Sequence, residues 1–194
     1  MTIRESAIFH IEAGETVTVA AGKTFNDHSS SNSTNGGTLN IEGTFNNDSI
    51  VYNNGSIVVS GVLNNNSTLH NDSNITVNAG GTVNIASGYA YMTNSATLTN
   101  NGTIVNNASS TEKQGTPGLN NTGVFTNNGT FTNNGDFYNG NGDSQPGTLI
   151  NAGAFTNTGF IKNYQSSILT NNGSYSGSGT VEGNGTFDGT SPIS

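Results

Sequence analysis

Phe125-Thr126-Asn127-Asn128-Gly129-Thr130 runs without a break into Phe131-Thr132-Asn133-Asn134-Gly135-Asp136. These two units decide the fold. Each holds one apolar residue, an Asn two positions later and a Gly two positions after that. In an extended strand alternate side chains share a face. Phe, the first Asn and Gly therefore turn one way, and Thr and the second Asn turn the other. Six is not a helical period, and a Gly in every unit costs a helix about 1 kcal/mol relative to Ala. The units read as short strands joined by tight corners.

Working outward, the same step of six carries apolar residues along most of the chain. They are Leu39, Phe45, Val51, Ile57, Leu63, Leu69 and Ile75, then Leu98 and Ile104, then Leu119, Phe125, Phe131 and Phe137, then Leu149, Phe155 and Ile161, then Leu169, Val181 and Phe187. Asn47, Asn53, Asn65, Asn71, Asn100, Asn121, Asn127, Asn133, Asn151 and Asn157 occupy the position two residues on. One such unit, about 20 Å long when extended, cannot bury its single apolar side chain alone. Coiling places like positions above one another every ~4.8 Å, apolar on apolar and Asn on Asn, and stacked Asn amides form hydrogen-bonded ladders. Glycine suits the corners, where space is short and φ is free to be positive.

The expected fold is all-β, a single-stranded parallel β-solenoid built on a six-residue repeat. Three units close a triangular coil of about 18 residues. The spacing leaves the hand open. A small residue two before each apolar one is the pattern of left-handed hexapeptide helices, whereas about 98% of parallel crossovers are right-handed. The Asn positions favour the right-handed form.

Three polar, Gly- or Pro-bearing stretches interrupt the step and read as loops: 26–36, 107–118 and 140–147. Residues 1–25 alternate at period two with more charge, and read as an N-terminal cap and first rung. The repeat solenoid spans 26–189, with 190–194 as a C-terminal tail.

Composition narrows the function. The 194 residues include 34 Asn and 27 Gly but only 8% charged residues, where roughly 25% is typical. Hydrophobic residues make up only 30% of the chain, which often means disorder, but strict spacing of the apolar residues argues for order. There is no Cys, hence no disulfide framework. Net charge is −8 with four basic residues, so neither nucleic acid nor an anionic membrane has an electrostatic partner here. No apolar run reaches the ~18 residues of a membrane span. No apolar signal-peptide core follows Met1-Thr2-Ile3-Arg4-Glu5, so any such signal was removed or export does not use one. His10, His28 and His70 lie in separate segments without metal-ligand spacing, and the carboxylates are scattered. Asp27-His28 and Gly140-Asn141-Gly142-Asp143 read as ordinary loop sequence. No catalytic, cofactor or metal site is expected.

Thr16-Val17-Thr18-Val19-Ala20-Ala21-Gly22-Lys23-Thr24-Phe25 is similar to an opening rung of secreted bacterial β-helices. Leu98-Thr99-Asn100-Asn101-Gly102-Thr103-Ile104 and Phe125 to Phe131 resemble the repeats of filamentous-haemagglutinin-like adhesins and autotransporter passengers. The resemblance covers most of residues 16–189. It implies a secreted or surface-exposed, non-catalytic shaft. The expected function is therefore a structural or adhesive shaft, self-assembling end to end or holding a surface glycan. A glycan-binding phage fibre domain is one alternative. An ice-binding protein is another, suggested by the outward pairs of Thr130-Phe131-Thr132 and Thr97-Leu98-Thr99. Ile50-Val51-Tyr52, Ser56-Ile57-Val58 and Phe160-Ile161-Lys162 break any continuous Thr face.

Overall fold

A computed structural model describes residues 1–3, 8–109, 118–142, 144–190 and 193. The central part of the 107–118 loop, residues 110–117, lies outside the described residues, as do Arg4, Lys113 and Asp143. The chain is a parallel β-solenoid of about eight coils, about 20 residues per turn, with no helix among the described residues. Every third strand joins the same sheet, giving three parallel sheets of nine described strands each. Sheet A holds, among others, Thr24–Asp27, Thr44–Asn47, Thr130–Asn133 and Ala154–Asn157. Sheet B holds Ser33–Asn35, Ile50–Asn53, Thr68–Asn71, Tyr91–Asn94, Gly118–Asn121, Asp136–Asn139 and Phe160–Asn163. Sheet C holds Thr16–Val19, Thr38–Ile41, Thr97–Asn100, Val124–Asn127 and Thr148–Asn151.

The expected coil of 18 residues is the minimum. Coils built of three units close in 18, as from Asn35 to Asn53 and from Asn47 to Asn65. Corner insertions lengthen others to 23, 27, 24 and 20 residues. Register survives because the extra residues leave the strands unchanged, so Leu98 still sits over Phe125 and Phe125 over Leu149.

Most strands turn at least one apolar side chain into the axis. Leu39, Phe45, Val51, Ile57, Leu63, Leu69, Ile75, Leu98, Ile104, Leu119, Phe125, Phe131, Phe137, Leu149, Phe155, Ile161 and Leu169 are all buried. Burying each is worth about 1.5–3 kcal/mol. Val181 is only partly buried, and Phe187 is 39% exposed, because both lie in the last coil, which has no neighbour above it among the described residues. Ring pairs follow the register: Phe25 stacks on Phe45 at 5.3 Å, and Phe131 on Phe155 at 4.8 Å.

One segment differs from the reading of its sequence. In 26–36, taken there as a loop, Asn26 and Asp27 complete one strand and Ser33–Asn35 forms another, leaving only 28–32 between them. Ser33 occupies the apolar position, opposite Val51 and fully buried. A search for apolar residues passes over it. Residues 1–25, read as an N-terminal cap and first rung, hold the edge strands of all three sheets. Val17 pairs with Leu39 and Phe25 with Phe45 in ordinary register.

One column of corner glycines serves close approach, not positive φ. Gly43, Gly61, Gly81, Gly102, Gly129, Gly153 and Gly173 form one column at the corner between sheets C and A, and none of them has positive φ. The carbonyls of Gly43 to Gly153 in this column point along the axis to accept the next coil's backbone N–H, as Gly129 accepts from Ala154 at 2.8 Å. At Gly61, Gly129, Gly153 and Gly173 the preceding glycine's carbonyl oxygen lies 2.0–2.2 Å from where a Cβ would stand.

Candidate functional site

The buried Asn side chains form ladders in all three sheets. All ten positions read from the sequence, Asn47 to Asn157, are 0–1% exposed. The longest ladder runs in sheet B from Asn35 through Asn53, Asn71, Asn94, Asn121 and Asn139 to Asn163, each Nδ2 donating to the next Oδ1 at 2.7–2.9 Å. In sheet C, Asn100, Asn127, Asn151 and Asn171 repeat the arrangement at 2.6–2.7 Å. The second N–H of each amide donates to the carbonyl opening the following strand one coil on, as Asn127 does to Ala154 O at 3.0 Å and Asn133 to Phe160 O at 3.0 Å. Where the ladders of sheets A and C begin, a backbone N–H two residues on serves the first oxygen, whereas Asn35 Oδ1 at the start of the sheet B ladder is buried without a partner. Gly102 N donates to Asn100 Oδ1 at 3.1 Å and Ser49 N to Asn47 Oδ1 at 3.1 Å. Apart from the buried Oδ1 of Asn35, the ladder amides are bonded to one another and to backbone, and their residues are buried, so they hold the coils together.

The sequence did not reveal where the ladders stop. In sheet C the ladder position of the first coils is aliphatic, with Ile41, Val59 and Val77 fully buried. In sheet A, Ile85 separates Asn65 from Asn106. Asn65 Nδ2 there donates only to Tyr91 O, at 3.0 Å. Ile85→Asn would join the two ladders. It loses one aliphatic burial of about 1.5–3 kcal/mol and gains two or three bonds of about 1 kcal/mol each. The expected change in urea-unfolding free energy is within about 1 kcal/mol, against a loss of about 3 kcal/mol or more for Val83→Asn, which has no ladder to join.

The outward faces differ from one another. On sheet A an outer ladder of opposite direction links Asn84 to Asn64, Asn46 and Asn26, each amide donating back to the preceding coil at 2.6–2.9 Å. Beside it stand Thr24, Thr44, Val62, Thr82, Thr103, Thr130, Ala154 and Ser174. Sheet C is likewise free of outward rings, carrying Thr76, Thr99 and Thr126 in register.

Sheet B carries the aromatic residues. Among the described strands, the only outward-facing rings are its Tyr52, Tyr91, Tyr138 and Phe160, with His10 and His70. Exposed Tyr89 and half-buried Tyr164 stand just before and just after sheet B strands. They point outward because Val51, Leu69, Met92, Phe137 and Ile161 alternate with them on the inward side. Tyr52 stacks on His70 at 4.7 Å, His70 meets Tyr91 edge-on at 6.2 Å, and His70 Nδ1 is 3.0 Å from Thr93 Oγ1. Two coils on, Tyr138 lies 6.1 Å from Phe160 and 6.4 Å from Tyr164, whose ring is 5.1 Å from Lys162 Nζ. Between the two groups Asn120 is 8% exposed, and its Oδ1 has no hydrogen-bond partner.

This face combines rigid amphipathic rings with neutral donors and acceptors on a fixed axial spacing. It can hold a partner by ring contact and hydrogen bonding without charge pairing. Elsewhere His28 Nδ1 pairs with Asp48 Oδ2 at 3.0 Å on the surface, and no group of three or more His, Cys, Asp or Glu among the described residues is placed to hold a metal ion. The chain matches no family model, no curated protein and no solved structure with which it was compared.

Proposed function

We propose that this chain is a non-enzymatic shaft of an extracellular or surface-exposed protein, adhering to a neutral glycan through the outer face of sheet B. The observation that carries the reading is the confinement of outward rings to one of three otherwise similar faces. A pyranose ring offers an apolar C–H face to an aromatic ring and hydroxyls to the Thr, Asn and His groups beside it. A net charge of −8 disfavours polyanions. The likeness of the repeats to filamentous-haemagglutinin-like adhesins supports a place at a surface.

Glycan microarray screening followed by calorimetry tests the reading. The wild-type chain is expected to bind neutral oligosaccharides. Tyr52→Ala combined with Tyr138→Ala is expected to weaken that binding by about tenfold or more, or about 1.4 kcal/mol, with an unchanged circular dichroism spectrum. Binding that is absent in the wild type, or equally tight in the double variant, defeats it. A second reading, ice binding, draws on the Thr82, Thr103 and Thr130 rank of sheet A, interrupted by Val62 and Ala154. A thermal-hysteresis measurement decides it.

A further inference from the structure

The chain contains nine Asn-Gly pairs, beginning at Asn35, Asn54, Asn101, Asn128, Asn134, Asn139, Asn141, Asn172 and Asn184. Asn-Gly is the pair most open to spontaneous loss of ammonia, because glycine places no side chain in the way. The glycine backbone nitrogen attacks Asn Cγ. The N–Cγ bond forms, the Cγ–Nδ2 bond breaks, and Nδ2 leaves as ammonia with the glycine amide proton. Water then opens the cyclic imide at either carbonyl, leaving aspartate or isoaspartate.

The solenoid withholds the attacking nitrogen at seven of the nine. Gly36 N–H is donated to Ile11 O at 2.8 Å, Gly140 to Asn121 O at 2.7 Å, and Gly102 to Asn100 Oδ1 at 3.1 Å. Gly129, Gly135, Gly173 and Gly185 each donate to a carbonyl one coil back at 3.0 Å. Reaction at these pairs requires the coil to open first. Gly55 and Gly142 show no such bond. Gly55 is nonetheless clamped. Asn54 N donates to Asn35 O and Ser56 N to Gly37 O, both at 2.8 Å, and a Cβ on Gly55 would lie 2.1 Å from Gly37 O. Gly142 is open: its φ is +65° and nothing lies within 4 Å of where its Cβ would stand. Asn141 is exposed, and its side chain is held only by Gln145 Oε1 at 3.1 Å.

We infer that Asn141 is the chain's site of spontaneous conversion to aspartate and isoaspartate, and that the coil bonds spare the other Asn-Gly pairs. The change adds one negative charge in the loop that follows the Tyr138 strand, where Gly140 abuts Tyr164. It rests on no assumption about what the sheet B face binds.

Peptide mapping by mass spectrometry after incubation at mildly alkaline pH tests this, with native chain and urea-unfolded chain in parallel. In the unfolded chain all nine pairs should convert. In the native chain Asn141 should convert at least about tenfold faster than the seven bonded pairs, which wait on local opening, with Asn54 between. Asn141→Gln should remove the main acidic species that accumulates on isoelectric focusing. Native conversion at Asn128 or Asn134 as fast as at Asn141, or none at Asn141 while the unfolded chain converts there, overturns the inference.

Discussion

Asn127→Asp is expected to destabilise the solenoid by about 3–5 kcal/mol, the usual cost of an uncompensated buried charge. Asn127 accepts from Asn100 Nδ2 at 2.7 Å and donates to Asn151 Oδ1 at 2.6 Å, Ala154 O at 3.0 Å and, more weakly, Gly129 O at 3.4 Å. A carboxylate keeps the first contact and turns lone pairs on three acceptors, in a position with no exposure to water. The neighbouring Asn128→Asp removes one exposed bond, to Asn101 Oδ1 at 2.9 Å, and should cost less than about 1 kcal/mol. The same chemical change one residue apart thus separates inward from outward. Urea unfolding followed by circular dichroism reads both. The Asn127→Asp penalty should also depend on pH. Burial among acceptors favours the neutral acid and raises its folded pKa, so the penalty is small below the unfolded value of about 3.9 and grows as pH rises above it. Equal losses for the two variants would mean that the ladder does not exist.

Gly153→Ala should cost about 3 kcal/mol, at the upper end of what overpacking costs. The new Cβ would stand 2.1 Å from Gly129 O and 2.7 Å from Asn128 C. Both are backbone atoms, and Gly129 O is fixed by the Ala154 N–H at 2.8 Å. The coils must separate or that bond must break, and the glycine column transmits the shift towards Gly173, whose Cβ position is 2.0 Å from Gly153 O. Gly142→Ala has free space and suffers only from its positive φ, about 1–2 kcal/mol. Thermal unfolding of the two variants distinguishes close approach from backbone strain. A Gly153→Ala variant as stable as wild type would refute the corner packing.

Much of this architecture is legible in Phe125 to Asp136, because apolar, Asn and Gly at steps of two state both the strand and what stacks on what. Other features are hidden for physical reasons. Ser33 replaces the apolar residue of its strand and is tolerated because Ser29 Oγ lies 3.1 Å from its hydroxyl and Phe9 N donates to it at 3.3 Å. Ile41, Val59 and Val77 take the ladder place because an aliphatic column fills the same space without needing partners. The aromatic face was the least legible. Tyr52 and Tyr138 share sheet B only because of how many residues each corner insertion adds, and a strict count of 18 sends them to different faces. Outward residues carry no periodic signal of their own, so they can be placed only once the insertions are known.

The central claim is that the backbone stacks like on like, with insertions expelled at the corners. Disulfide cross-linking tests it most directly, since the chain has no cysteine. Thr99 and Thr126 face outward on adjacent strands of sheet C, in direct register across a 27-residue coil. Their Cα atoms should lie about 4.8 Å apart, within disulfide reach. Thr99→Cys with Thr126→Cys should oxidise to an intramolecular cross-link, while Thr99→Cys with Thr132→Cys, one unit further and on sheet A, should stay reduced. A cross-link in the second pair and none in the first would contradict the register on which the core, the ladders and the aromatic face all depend.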